Sequence, residues 1–130
     1  MTTTIDRETT VQAIEALYAT GHWLLGQERF KDAADVFRAM ATAQPEDERS
    51  WLGLGQAHEA AKQRVIAKEI YLTGVTLAHG GRCAIALARL LREMGNDADA
   101  AEAIDFAEGV ARDNDDETLA ALVTYERGLS

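Results

Sequence analysis

The stretch Trp51-Leu52-Gly53-Leu54-Gly55-Gln56-Ala57-His58, followed by Ala67 and Tyr71, decides the fold of this chain. It is one copy of a pattern that occurs more than once. Sliding the sequence by 34 residues superimposes Leu17 on Trp51, Gly21 on Gly55, Ala33 on Ala67 and Phe37 on Tyr71. A weaker third copy follows after a 33-residue step, as Leu87-Ala88, Gly95, Ala100, Ile104 and Ala107. The missing residue falls near Gly80-Gly81, where a loop absorbs it. Each copy reads as two antiparallel helices. Small residues (Gly21, Gly55 and Ala88 on first helices; Ala33, Ala67 and Ala100 on second helices) let backbones approach, and Leu17, Trp51, Phe37 and Tyr71 fill the space between neighbours. One such pair cannot bury its apolar face alone, so stacking must supply the core.

A period of 34 with Trp-x2-Leu-Gly-x2-Tyr, then Ala-x3-Phe and a late Pro, is the tetratricopeptide pattern. Pro45 supplies that Pro in the first copy. The expected fold is therefore all-α: a right-handed tetratricopeptide-repeat solenoid of three repeats with a C-terminal capping helix. As one domain over 1–130, its repeats run about 14–47, 48–80 and 81–114, and its cap about 117–129. Helices are expected near Thr9–Gly26, Phe30–Gln44, Glu48–Lys62, Val65–Ala78, Arg82–Met94, from Asp97 to near Asp113, and Glu117–Leu129. Pro45 and the acidic Glu46-Asp47-Glu48 suit a helix start. Gly80-Gly81 is expected to end the fourth helix, and Asp97 to cap the sixth. Leu119, Leu122, Val123 and Glu126 give the last helix one apolar stripe and one polar face, as an end cap requires.

With 130 residues, 47% of them hydrophobic, the chain can bury a real core, and a single Pro suits helices. The formal charge of −9 disfavours nucleic acid and anionic membrane surfaces. The N-terminal Met1-Thr2-Thr3-Thr4-Ile5-Asp6-Arg7 lacks the apolar core of a signal peptide, and no apolar run approaches a membrane span. Cys83 is alone, so no intrachain disulfide forms. These features point to the cytoplasm and against membrane insertion.

Catalytic and metal signatures are missing from the sequence. His22, His58 and His79 are scattered, with neither an i,i+4 pair nor a Cys partner at metal spacing. His58 stands where the pattern has Tyr and is read as a packing residue. Cys83 opens a helix, where the dipole would lower its pKa, but a buried inert thiol is the favoured reading. Leu52-Gly53-Leu54-Gly55 is no phosphate loop: no strand precedes it, no Lys-Ser/Thr follows it, and helix packing accounts for Gly55. No nucleophile–base pair stands out. No enzyme, cofactor or metal site is expected.

First helices of stacked pairs line the concave side. Groove positions are then Glu15, Tyr18, His22 and Leu25; Arg49, Leu52, Gln56 and Glu59; and Arg82, Ile85, Arg89 and Arg92. Tyr18, Leu52 and Ile85 hold the same place in successive repeats and are all apolar, with Leu25 extending the row. Either these residues pack against each other and the terminal helix, or they form an apolar channel with an arginine-lined end that takes an extended peptide. The arginines would then meet carboxylates or peptide carbonyls; otherwise they pair with Glu93 and Glu102. Tyr18 and His22 occupy the places where chaperone-adaptor repeats carry the Lys and Asn of a carboxylate clamp, which argues against that function.

At this point the chain resembles the class II, or translocator, chaperones of bacterial type III secretion. The likeness rests on Leu17-Tyr18-Ala19; Phe30-Lys31-Asp32-Ala33 with Val36-Phe37; Trp51-Leu52-Gly53-Leu54-Gly55; and Leu90-Leu91-Arg92-Glu93-Met94-Gly95 followed by Ala98-Asp99-Ala100. It covers about residues 14–128. The resemblance implies a cytoplasmic, non-enzymatic chaperone that grips an apolar segment of a secreted translocator in its groove and keeps it soluble before export. Tyr18, Leu25, Leu52 and Ile85 would bind the client, with His22, Gln56, Arg89 and Arg92 beside them. A generic repeat scaffold, including a needle-subunit co-chaperone or an export-apparatus adaptor, is the alternative. The family pattern has a longer N-terminal helical segment that supports homodimers. Here thirteen residues precede repeat one, and a homodimer would use Ile5, Val11, Ile14 or Trp23.

Overall fold

The computed structural model describes the backbone of residues 3–129 and the side chains of residues 10–129, so the expectation for the Ile5 side chain lies outside the described residues. Seven helices follow one another: α1 (Thr3–Gly26), α2 (Phe30–Ala43), α3 (Glu48–Ala60), α4 (Arg64–Ala78), α5 (Gly81–Glu93), α6 (Asp97–Asp113) and α7 (Glu117–Gly128). They pair as α1–α2, α3–α4 and α5–α6, with α7 docked against α5 and α6. This is the tetratricopeptide-like stack of the sequence reading. α1 begins six residues earlier than expected, at Thr3 instead of Thr9.

The stack curves in a definite sense. α1 touches α3, α3 touches α5 and α5 touches α7, whereas α2, α4 and α6 do not touch one another among the described residues. The first helices therefore form the inner, concave side, and the second helices fan out over the convex side.

Close backbone approach sets the spacing. The Phe37 ring is fully buried and lies against both Gly21 and Gly53; a methyl added at Gly21 would stand 2.5 Å from Phe37 Cζ. The Tyr71 ring lies in the same way against Gly55. Gly53, which the sequence pattern left without a role, thus belongs to the same packing as Gly21. Tyr71 is 1% exposed, and its hydroxyl donates to Glu59 Oε1 at 2.7 Å. Burial and this bond to the carboxylate raise its pKa.

Helix ends are set by chemistry that only partly follows the glycines. Gly80-Gly81 does not terminate α4; His79 does, in the left-handed region at φ 52°. The two glycines serve close contacts instead. A Cβ on Gly80 would meet Glu48, and one on Gly81 would meet Leu119. Asn96, not Asp97, caps α6, its side chain accepting from Asp99 N at 3.3 Å. Asp47 and Asp116 cap α3 and α7 through bonds from Arg49 N and Leu119 N. Trp51 Nε1 donates to the Pro45 carbonyl at 2.7 Å, which ties the turn to the helix that follows it.

The turn inside each repeat demands a left-handed residue at one place. Glu28 (φ 59°), Lys62 (φ 67°) and Gly95 (φ 80°) occupy it in the three repeats. Each turn closes with the same pair of bonds, as in Lys62 N to Glu59 O and Gln63 N to His58 O, both 2.9 Å. Only the third repeat uses the residue that bears this conformation without steric penalty. Lys62→Gly is therefore expected to hold or raise stability by up to about 1 kcal/mol, and Gly95→Ala to lower it by about 1 kcal/mol. Chemical denaturation of both variants checks the opposite signs.

Candidate functional site

The inner surface is built by α1, α3 and α5. At its open end Arg49 forks onto Glu15, with Nη1 to Oε1 at 3.1 Å and Nη2 to Oε2 at 2.8 Å. The same guanidinium binds Asp47 at 2.8 Å and lies 4.6 Å from the centroid of the Tyr18 ring. Tyr18 meets His22 edge-on at 4.6 Å, and His22 meets Phe37 edge-on at 5.5 Å. Tyr18 is thus held between a cation and an imidazole and is half-buried. Arg49 holds the Asp47 and Glu15 carboxyls below their usual range.

Leu25 and Leu52 are also half-buried, Leu25 against the core of the first repeat and Leu52 against that of the third. His22 and Gln56 are exposed. Tyr18, His22 and Leu25 belong to α1, and Leu52 and Gln56 to α3, two of the helices of the inner side. Glu59, at the last groove position of α3, accepts the Tyr71 hydroxyl instead of facing a ligand.

The third repeat is different. Ile85 is 3% exposed and belongs to the core. α7 lies over α5, and its Leu119 and Val123 are buried there. Glu126 is 0% exposed, accepting from Arg89 Nε at 2.6 Å and from Arg92 Nη1 at 3.1 Å. Arg92 also reaches the Glu126 carbonyl, and Arg82 binds Asp116 at 2.8 Å. The expected partners Glu93 and Glu102 are replaced by residues of the closing helix. Arg89 nevertheless keeps half of its side chain in solvent. With Arg92, Tyr125 and Leu129 it lines a cavity of about 420 Å³ at the end of α7. The three equivalent apolar positions therefore do not form one uniform row: two are half-open and the third is closed by α7.

Sequence reading could not assign Glu126 this role, because a lone Glu on a capping helix reads as surface. Its one signal was placement on the same stripe as Leu119, Leu122 and Val123. Ile14 also departs from expectation. At 6% exposure it is core and is not available to a dimer, whereas Val11 and Trp23 are 57% and 59% exposed. Cys83 is fully buried. Burial pushes its thiol pKa up, with the Glu48 charge second, so the inert reading holds over the dipole-activated one. Glu48 Oε1 accepts from Arg82 N and Cys83 N, both at 3.0 Å, and so caps α5 from the preceding repeat.

Among the described residues no group of three or more His, Cys, Asp or Glu side chains is placed to hold a metal ion. None of the helices is long and apolar enough to cross a membrane.

Solved structures supply the comparison. The type III secretion translocator chaperone SycD of Yersinia enterocolitica superimposes with a TM-score of 0.76 at 22% identity, over 95% of each chain. PcrH, known from Pseudomonas aeruginosa, in complex with the chaperone binding region of PopD superimposes at 0.72 and 25%, over 92% of this chain and 89% of that one. PcrH with the chaperone binding region of PopB gives 0.74 and 24%, over 88% and 94%. The chain has the translocator-chaperone fold. No protein-family model matches the sequence, and no curated protein matches it.

Two measurements test this electrostatic framework. Replacing both Arg89 and Arg92 removes two partners of the buried Glu126 carboxylate, and the double Ala variant is expected to lose more stability than the two single changes added together. Urea denaturation of the three variants reads that difference. Glu15, Asp47 and Asp116 all have pKa values lowered by arginine. Their contribution is complete above the ordinary carboxylate values of 3.8 and 4.5 and is lost as pH falls through the lower folded values. Thermal midpoints should be flat above about pH 5 and drop in acid, and Asp116→Asn should shrink the drop.

Proposed function

We propose that this protein is a cytoplasmic chaperone that holds an extended apolar segment of a type III secretion translocator and keeps it soluble before export. The activity is binding, not catalysis. The whole chain works as one repeat domain, with pairs over 14–47, 48–80 and 81–114 and a closing helix over 117–129. The observation that carries the proposal is the fold match over 95% of both chains, with the inner face of that fold presenting half-open apolar side chains. Two of the matched structures are complexes with the chaperone binding regions of PopB and PopD.

Tyr18, Leu25 and Leu52 are the proposed anchor-binding residues. They are buried enough to be fixed and open enough to accept a side chain. A client anchor seated there leaves water and contributes about 1.5–3 kcal/mol before ordering costs. His22 and Gln56, exposed between them, supply polar edges for the client backbone. Ile85 acts from beneath, as the core that fixes Leu52 and α5. Arg89 and Arg92, at the far end, meet client carbonyls or carboxylates while still paired with Glu126. A translocator carries membrane-seeking segments that aggregate when free, and a groove covering them prevents it.

The test uses the chaperone binding region of PopD, or a client that co-purifies from the native host, titrated against the wild type and Leu52→Glu, with circular dichroism on both. Loss of about tenfold or more in affinity with unchanged helicity is expected, since a charge replaces an apolar anchor site. Tyr18→Ala, at the open end, separates binding from folding if Leu52→Glu unfolds. Wild-type affinity in folded Leu52→Glu and in Tyr18→Ala would move the site off the concave face.

A further inference from the structure

The start of α4 gathers unpaired positive charge on an acidic chain. Lys62, Arg64 and Lys68 follow one another closely there. From Arg29 to Arg127 every other lysine and arginine forms an ion pair, and these three form none. Lys68 lines a cavity of about 370 Å³ between α4 and α6 together with Glu69, Asp99 and Glu102, yet pairs with none of them. Val65, 63% exposed, and Ile66, 46% exposed, sit among the cations, and Leu72, 45% exposed, lies two turns beyond Val65 on the same face. The fold does not require this combination. At the places of Lys62, Arg64 and Ile66, repeat one has Glu28, Phe30 and Asp32, and repeat three has Gly95, Asp97 and Asp99. From α2 onward every other helix start meets a carboxylate: Asp32, Glu48, Asp97 and Glu117 in first turns, and Glu48 again at α5. α4 has no acidic residue in its first turn and no side-chain cap; the Gln63 side chain is turned to His58 Nδ1 at 2.7 Å. Cations at a helix start oppose the helix dipole, so this charge does not serve the stability of α4 itself.

We infer that the turn before α4 and the first half of that helix form a docking surface for an acidic amphipathic segment of another protein. Its carboxylates meet Lys62, Arg64 and Lys68, and its apolar side covers Val65, Ile66 and Leu72. Asp99 and Glu102, on the far wall of the adjoining cavity, turn acids away from the α6 side. The segment therefore carries its carboxylates along one flank. Nucleic acid and anionic membranes fit less well. They need a broad basic face, whereas here three cations stand on a chain of net charge −9, with Glu28, Glu69 and Asp99 exposed around them. As a second helix, α4 belongs to the convex side, so this surface is separate from the groove on α1 and α3, and both can be filled together.

Fluorescence anisotropy with a synthetic amphipathic helical peptide, leucines on one face and glutamates along its flank, tests the proposal. The same peptide with lysines in place of the glutamates is its control. The wild type should bind the glutamate peptide about tenfold or more tightly than the lysine peptide, and added salt should weaken that binding. Combining Lys62→Glu with Arg64→Asp introduces residues that repeats one and three already carry at these places, so helicity and thermal midpoint should hold or rise. Affinity for the glutamate peptide should fall about tenfold or more in that double variant, while its affinity for the chaperone binding region of PopD stays unchanged. Val65→Ser should weaken the peptide at every salt concentration, because it removes apolar contact. Arg38→Glu, on α2, and Tyr18→Ala, in the groove, should leave peptide binding unchanged. Equal affinity for both peptides, or a folded double variant that binds like the wild type, overturns the proposal. Binding lost in Tyr18→Ala would place the peptide in the groove, which also overturns it. So does binding to phosphatidylserine vesicles, or self-association, that the double variant removes while the glutamate peptide fails to bind the wild type; the occupant would then be a lipid surface or a second copy.

Discussion

An aromatic ring pressed against glycine backbone sets the geometry of the whole stack. Phe37 lies between Gly21 and Gly53, so one ring fixes α1, α2 and α3 at once. Tyr71 does the same for α3 and α4 at Gly55. Neither contact tolerates even a methyl group in its present form, and interiors packed this densely do not deform continuously. The curvature that opens the inner face follows: first helices are drawn together and second helices are left apart. The groove exists because those glycines have no side chains.

On this apolar frame the repeats are joined by a chain of polar contacts spaced by the repeat length itself. Glu15 to Arg49, Glu48 to the backbone of Arg82, Arg82 to Asp116 and Arg92 to Glu126 each span 34 residues. Each links one first helix to the next, and the last two link α5 to the closing helix. The half-exposed ion pairs among them, Glu15–Arg49 and Arg82–Asp116, contribute little singly. Their value here is register, because a slip of one residue would break every pair. Glu48 shows the coupling most clearly. It begins α3 and also caps α5, whose own N-cap is Gly80 and has no side chain to offer.

What the sequence revealed and what it hid divide along physical lines. Helix order and pairing were legible because the 34-residue period places the same small and large residue types at the same crossings, and packing at those crossings is local to neighbouring repeats. The start of α1 was not legible: Thr-rich sequence is a weak helix former with good caps, yet the helix runs on to Thr3. The end of α4 misled because Gly is the usual left-handed terminator, while here His79 takes that conformation and the glycines answer a steric demand from Glu48 and Leu119. The helices of the inner side were legible in the first two repeats, because the repeat alone decides which helix of each pair is the first. The third repeat was not, since the burial of Ile85 and the pairing of Arg89 and Arg92 depend on α7, which lies outside the repeat pattern.

The closing helix therefore defines the reach of the groove. A solenoid must end in something that hides its last apolar face, and α7 does so with Leu119 and Val123. It brings Glu126 with it, and burying a carboxylate is costly unless it is paired. The two arginines of α5 meet that need and become fixed in place. The same step that terminates the fold thus converts two mobile cations into an ordered edge at the end of the inner face. An extended apolar segment running from Tyr18 past Leu52 would reach a boundary that is charged and rigid, not a continuing apolar channel. On the function proposed above, α7 would set the length of chain the groove shelters, and the net charge of −9 on the whole chain favours keeping a loaded complex in water.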